Sequence, residues 1–323
     1  MIILVQLSLA ALLLINGGRC NLNGLDPLSD QMIDKINSLD TTWKAGRNFH
    51  PSQLNYVKSL LSVKQAERDE KPIPRSAEIS ESIPETFDAR KKWPECEPII
   101  SLIRDQSNCA AGWAFAAAST MSDRYCIDYL GTQKANFSAQ DLIACSGLGG
   151  CDVAPRIFDA WDYMVWKGIV TGDLYEGGGC MPFSIEPGHH GEKPAPTPSC
   201  NKVCQPGYPK SYLQDKLRGQ SAMGISPYTK TIQTEILWNG PVQAGFDVYA
   251  DFLSYKSGVY KVESKDKIGY HSAKLIGWGT EDGVPYWLAA NSWGTSWGDG
   301  GFFKIRRGFN ESHIECNVVS GSF

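Results

Sequence analysis

Ten cysteines and five histidines carry much of the chemistry open to this 323-residue chain. One cysteine, Cys109, opens the stretch CAAGWAF, residues 109–115, which reads both as the start of a buried helix and as a damaged active site. A cysteine there can be a nucleophile through its thiolate, or one half of a disulfide. A second group, Cys180, His189, His190, Cys200 and Cys204, has the residue types of a zinc site. Disulfides are the commoner use of cysteine in an exported chain, and no metal is assigned. Spacing alone leaves the connectivity open. The sequons Asn136-Phe137-Ser138 and Asn310-Glu311-Ser312 are acceptors for N-glycosylation.

The elements that must position these residues follow from composition and period. MIILVQLSLAALLLING is apolar and then turns small and polar, too short for a comfortable membrane span. It reads as a secretory signal peptide over residues 1–20, cut between Asn16 and Asn21. Export is oxidising, and nine or ten cysteines remain after processing, so most pair and one is left over. The formal charge is −4 with no long basic run, which argues against nucleic acid, and no later stretch suits a membrane. Two short helices are expected over 28–62, the first from Met32, Ile36 and Leu39 with Ser29 as cap, the second opened by Pro51 and carrying Leu54, Val57 and Leu61. Between them lies TTWKAGRNF, two aromatic anchors around a glycine. KQAERDEKPIPRSAEISESIPE is charged and Pro-rich, an extended, cleavable link. From Phe87 the composition is globular: helices over 109–128 and 155–168, Gly-, Pro- and Cys-rich loops over 177–217, then short β runs after about 235.

Two longer segments resemble a known family. RDQSNCAAGWAF is similar to the Gln and nucleophile segment of papain-like cysteine peptidases, and HSAKLIGWGTEDGVPYWLAANSWGTSWGDGGFFKIRRG to their His and Asn segments. TTWKAGRNF resembles the short propeptide of the cathepsin B subfamily, and EPGHH followed by CNKVCQPGY its occluding loop. The resemblance implies an α+β papain-like fold and a propeptide over 21–82. It further implies a mainly helical part over about 83–220 and a β-barrel-like part over about 221–323, with the cleft between them. It also implies roles: Gln106 for the oxyanion, His271 for proton transfer, Asn291 to orient it, and Trp293 and Trp297 to shelter the pair. His189 and His190 match the loop that clamps over the cleft, one against Asp105. By motif position the disulfides are Cys96–Cys126, Cys109–Cys151, Cys145–Cys200 and Cys180–Cys204, with Cys316 unpaired. Two family bridges are missing, since Ser146 follows Cys145 and Gly188 stands near a lost half-cystine.

The nucleophile of the family's motif falls immediately before Trp113, and here that residue is Gly112, which can form no acyl-enzyme. Cys109 matches a structural half-cystine, and Ser107 would need His271 to swing towards it. Other departures gather at the same site. Asp152-Val153-Ala154-Pro155 replaces a glycine rail, Tyr270 replaces the glycine before the histidine, Ala110 and Ala111 precede Gly112, and Asn317 stands where an acid is common. The reading is a secreted or lysosomal, inactive cathepsin B-like protein that needs no cofactor and binds its own propeptide, and peptides or peptidase inhibitors. The alternative is a working cysteine-type peptidase, as the family implies.

Overall fold

The computed structural model describes residues 22–62, 74–75, 82–188 and 194–323. The signal segment, most of the charged link, and His189 and His190 lie outside the described residues.

The leading segment is folded by local signals. Ser29 accepts from the Met32 amide (3.2 Å) and caps the Asp30–Ser38 helix, which buries Met32 and Ile36. The Asn37 side chain bonds both backbone groups of Ala45, at 3.0 Å each. This steadies a strand, Trp43–Ala45, inside the stretch read as aromatic anchors, where it pairs with Tyr255–Tyr260. Trp43 is buried against Tyr255 and Tyr260, with ring centroids 6.2 and 5.2 Å away. Pro51–Gln53 forms a 3₁₀ turn with a His50–Gln53 capping box and runs into the Leu54–Ser59 helix. Val57, Leu60 and Leu61 are buried in one apolar cluster with the β strands. Burying each such side chain contributes about 1.5–3 kcal/mol.

The Gly112–Asp128 helix runs through the interior and is buried at every position from Gly112 to Ile127. Its alanines let neighbours approach closely, and an apolar surface all round is what an interior helix requires. Its two charged interior residues are paired, Asp123 with Lys274 at 2.7 Å and Arg124 with Glu235 at 2.9 Å. Around it pack the Ala139–Cys145 helix, capped by Ser138, and the Ile157–Lys167 helix, ended by Gly168 at φ 77°. One further helix, Thr229–Asn239, lies in the β-rich part, and its apolar residues form no clear stripe that would mark it in the sequence.

Nine described strands form a path in the order Trp43–Ala45, Tyr255–Tyr260, Phe302–Arg306, Val284–Ala290, Lys267–Glu281, Val242–Tyr249, Val318–Ser322, Ser221–Ile225 and Pro74–Arg75, and a tenth, Phe87–Asp88, pairs with Lys267–Glu281 off that path. The barrel-like arrangement expected from the resemblance is corrected here: among the described strands the sheet is open. The physical reason is that its two ends do not pair with each other. Both are taken by residues from the leading part of the chain, Trp43–Ala45 and Pro74–Arg75, so no closing ladder forms. The disulfides are Cys96–Cys126, Cys109–Cys151, Cys145–Cys200 and Cys180–Cys204, and Cys316 is free and exposed. Cys180, Cys200 and Cys204 are therefore spent as disulfides and offer no thiolate to a metal.

Candidate active site

Three elements bring the site together. The long helix presents Gly112 at its first position, with Ala111 before it offering no side-chain cap. The Lys267–Glu281 strand carries His271, and the turn after Val284–Ala290 carries Asn291. His271 Nε2 lies 2.8 Å from Asn291 Oδ1, and that oxygen also accepts from the Ser292 amide at 2.8 Å. The Ser292 bond pins Oδ1 as the inward atom, so Nε2 must carry the imidazole proton and Nδ1 is left with a lone pair. The ring rests on Trp293, with centroids 4.8 Å apart, and meets the edge of Phe246 at 5.7 Å. Trp297 supports Trp293 from behind at 5.0 Å. Burial lowers the His271 pKa to about 4, partly offset by the bond to Asn291. The imidazole is neutral at neutral pH.

Nδ1 faces Gly112 at very short range. A Cβ placed on Gly112 would stand 2.2 Å from His271 Cε1 and 2.3 Å from Nδ1. The imidazole thus occupies the space that a side chain at position 112 would need. Gln106 is fully buried beside it. Its amide nitrogen donates to the carbonyls of Leu60 (2.9 Å) and Cys109 (2.7 Å), and its oxygen accepts from Ser292 Oγ at 2.8 Å.

The Leu60 carbonyl belongs to the leading segment, which enters the cleft here. Ser62 and Tyr270 exchange backbone hydrogen bonds of 3.1 and 2.9 Å, and Ser62 Oγ donates to the Ala110 carbonyl at 3.0 Å. Leu61 packs over Gly269, where an added Cβ would come within 2.8 Å of its own. The turn at Leu60–Ser62 therefore already fills the cleft beside Gln106 and His271. Tyr270 turns between two strands, and its hydroxyl accepts from Asn317 Nδ2 at 2.6 Å. Only glycine fits at position 245 below it, since a Cβ there would lie 1.7 Å from the Tyr270 oxygen. Val153 is half exposed on the segment after Cys151, and Ala154 and Pro155 are buried.

Other candidates are engaged elsewhere. Cys109 is bridged to Cys151, and Ser107 donates to the Glu186 carbonyl at 2.7 Å. Asp105 accepts from the Ser107 amide at 2.8 Å and its backbone pairs with Trp293, while its expected partners His189 and His190 lie outside the described residues. Asn310 Nδ2, the atom a glycan would use, donates to Cys316 Sγ at 3.0 Å; Asn136 is half-buried, just ahead of the Ser138 cap. Sequence reasoning missed Ser292, which pins both Gln106 and Asn291, and the pairing of Gly245 with Tyr270. Only the second had a signal, a glycine inside the β run PVQAGFDVY.

Comparison with known proteins agrees with this architecture. The family model for papain family cysteine protease matches residues 83–322, and that for the peptidase family C1 propeptide matches residues 28–66. The chain belongs to the papain family of cysteine peptidases, has its papain-like fold, and carries the family's propeptide. Its homologues are cathepsin B-like. It is 45% identical over 304 residues to cathepsin B-like cysteine proteinase 3 of Caenorhabditis elegans, covering 90% of this chain and 81% of that one. It is 42% identical over 315 residues to a cathepsin B-like cysteine proteinase of Schistosoma japonicum, covering 92% and 91%. The solved structure of procathepsin B S9 from Trypanosoma congolense matches with a TM-score of 0.80 at 34% identity, over 92% of this chain and 99% of that one. Among the described residues no helix is long and apolar enough to cross a membrane.

Proposed function

We propose that this chain is a catalytically inactive cathepsin B-like homologue, secreted or lysosomal, that acts by binding. One observation carries the reading: the residue facing His271 Nδ1 at the helix N-terminus is Gly112, and the imidazole fills the space a nucleophile would take. Acyl transfer by this family's route needs a thiolate at that place, and no side chain is present to supply one. Gln106, His271 and Asn291 then persist as a hydrogen-bonded structural unit, which satisfies His271 Nε2, Asn291 Oδ1 and Gln106 Oε1 without any chemistry.

What the cleft retains is a way to hold an extended chain. The Gln106 amide meets a carbonyl and the Tyr270 backbone meets an amide–carbonyl pair, both on the propeptide. Peptides or peptidase inhibitors presenting an extended backbone would use the same groups once Leu60–Ser62 withdraws. Tyr270 against Asn317 fills the space beside the strand and restricts which side chains can enter. The test is a fluorogenic dipeptide assay on processed protein, with an epoxide thiol trap in parallel. The expected result is neither turnover nor epoxide labelling of Cys109. Turnover that the epoxide abolishes would overturn the proposal in favour of a working peptidase.

A further inference from the structure

A cavity of about 10 Å³ lies between the long helix, the strand of His271 and the Ala290–Ser292 turn. That is room for one water-sized occupant. Three atoms of residues in its wall are buried and without a hydrogen-bond partner: Arg104 Nε, Ser272 Oγ and Asn291 Nδ2. Their residues are 3%, 1% and 4% exposed. Two of the three atoms can only donate, and the Ser272 hydroxyl can donate as well. The Asn291 amide cannot turn round to offer its oxygen, because Oδ1 is held by His271 and the Ser292 amide.

Charge points the same way. The wall holds two cations, Arg104 and Lys274, and no carboxylate. Lys274 is matched by Asp123 at 2.7 Å. Arg104 spends its other nitrogens on neutral oxygens, the Phe137 carbonyl (2.8 Å) and Ser122 Oγ (3.3 Å). Burial lowers its pKa to about 10, with Asp173 and Asp123 acting in the opposite sense, so it stays protonated at any physiological pH. A water here would accept from two donors and still have two hydrogens to place, with Ser272 Oγ as the acceptor among the three open atoms. Asp173 and Asp123 offset the Arg104 charge without hydrogen-bonding to it, so its Nε–H still lacks an acceptor. A monatomic anion can accept from all three groups and pair directly with the guanidinium.

We infer that this cavity is a binding site for a small monovalent anion, chloride in the fluids an exported protein meets, held by Arg104, Ser272 and Asn291. Through Asn291 the ion would steady His271, whether or not the chain turns over substrate. The experiment is unfolding of the full chain in sodium chloride, bromide, gluconate and sulfate at constant ionic strength, joined to a bromide-soaked crystal. Chloride and bromide should stabilise saturably, raising the folded-to-unfolded ratio about a hundredfold at a hundred times Kd, while gluconate and sulfate do not. Ser272→Ala should raise the half-saturating chloride concentration several-fold. Bromide should give an anomalous peak inside the cavity. Equal stability in all four salts, chloride stabilisation unchanged in Ser272→Ala, or a cavity without an anomalous peak would each overturn the assignment.

Discussion

At the scale of single residues the site is governed by Gly112, which has no side chain, and the His271 ring that fills the space beside it. Returning a thiol by Gly112→Cys puts Cβ about 2.2 Å from the His271 ring, so the imidazole must move. It is held by Asn291 on one edge and by Trp293 and Phe246 on its faces. Misplacement by about 1 Å can itself cost about a hundredfold in rate. Gly112→Cys alone should therefore stay below a kcat/KM of about 10⁴ M⁻¹s⁻¹, the lower edge of ordinary enzymes; a value at or above that on a dipeptide substrate would refute a remodelled cleft. His271 also makes a pH prediction. Its folded pKa is depressed to about 4 by burial, against about 6.5 in an unfolded chain. Below pH 6.5 the unfolded state takes up a proton that the folded state refuses, so stability falls as pH drops from about 6.5 towards about 4. The loss is about 3 kcal/mol when complete. Urea unfolding at pH 7 and pH 4.5 should show a drop smaller by about 2–3 kcal/mol in His271→Gln than in the parent. Equal drops would show that His271 takes no part.

At the scale of elements, the propeptide is tied to the cleft by backbone groups, Ser62 to Tyr270 and Leu60 to Gln106, and by buried Met32, Ile36, Trp43 and Val57. Those are many small contributions spread over two helices and a strand, so no single contact releases the segment. On the proposed reading no acyl-enzyme forms, and the chain cannot cut itself. Purified protein incubated near pH 4.5, at several concentrations, should keep its full leading segment. A trace of active cathepsin should remove it by cutting within residues 64–82, where the sequence is charged, Pro-containing and poor in apolar anchors. Mass spectrometry reads both results. Spontaneous conversion blocked by a thiol-reactive epoxide would mean that some cysteine is a working nucleophile.

Across the whole molecule, the helical and β-rich parts are joined by buried polar links as well as by the sheet. Arg124, 2% exposed on the long helix, reaches the Pro241 carbonyl (2.7 Å), the Gly321 carbonyl (2.9 Å), the Gly240 carbonyl (3.0 Å) and Glu235 (2.9 Å). Glu235 is held in turn by Ser320 and Asn239. Removing one partner of such a buried pair strands the other charge and costs about 3–5 kcal/mol. Arg124→Met should lower unfolding stability by that amount. The double variant Arg124→Met/Glu235→Gln should recover part of it, and a loss below about 1 kcal/mol in the single variant would show the link to be unimportant.

Read alone, the chain determined its family and the residue types at its site, because those are carried by contiguous strings such as RDQSNCAAGWAF and LAANSWGTSWG, whose meaning does not depend on distance. It also marked the helices with strong local punctuation: Ser29, Pro51 and Gly168 sit at caps and turns where the structure begins or ends an element. It did not mark Thr229–Asn239, whose apolar residues lack a clear stripe, nor the short Trp43–Ala45 strand, which exists because Tyr255–Tyr260 offers it a ladder. The tertiary structure decided what depends on residues far apart in the chain. It placed the His271 ring over Gly112, the Leu60 carbonyl on Gln106, the Tyr270 hydroxyl over Gly245, and two strands from the leading part of the chain at the ends of the sheet. Each is a contact across tens to hundreds of residues, set by packing and hydrogen-bond satisfaction in three dimensions, and no local period or propensity encodes it.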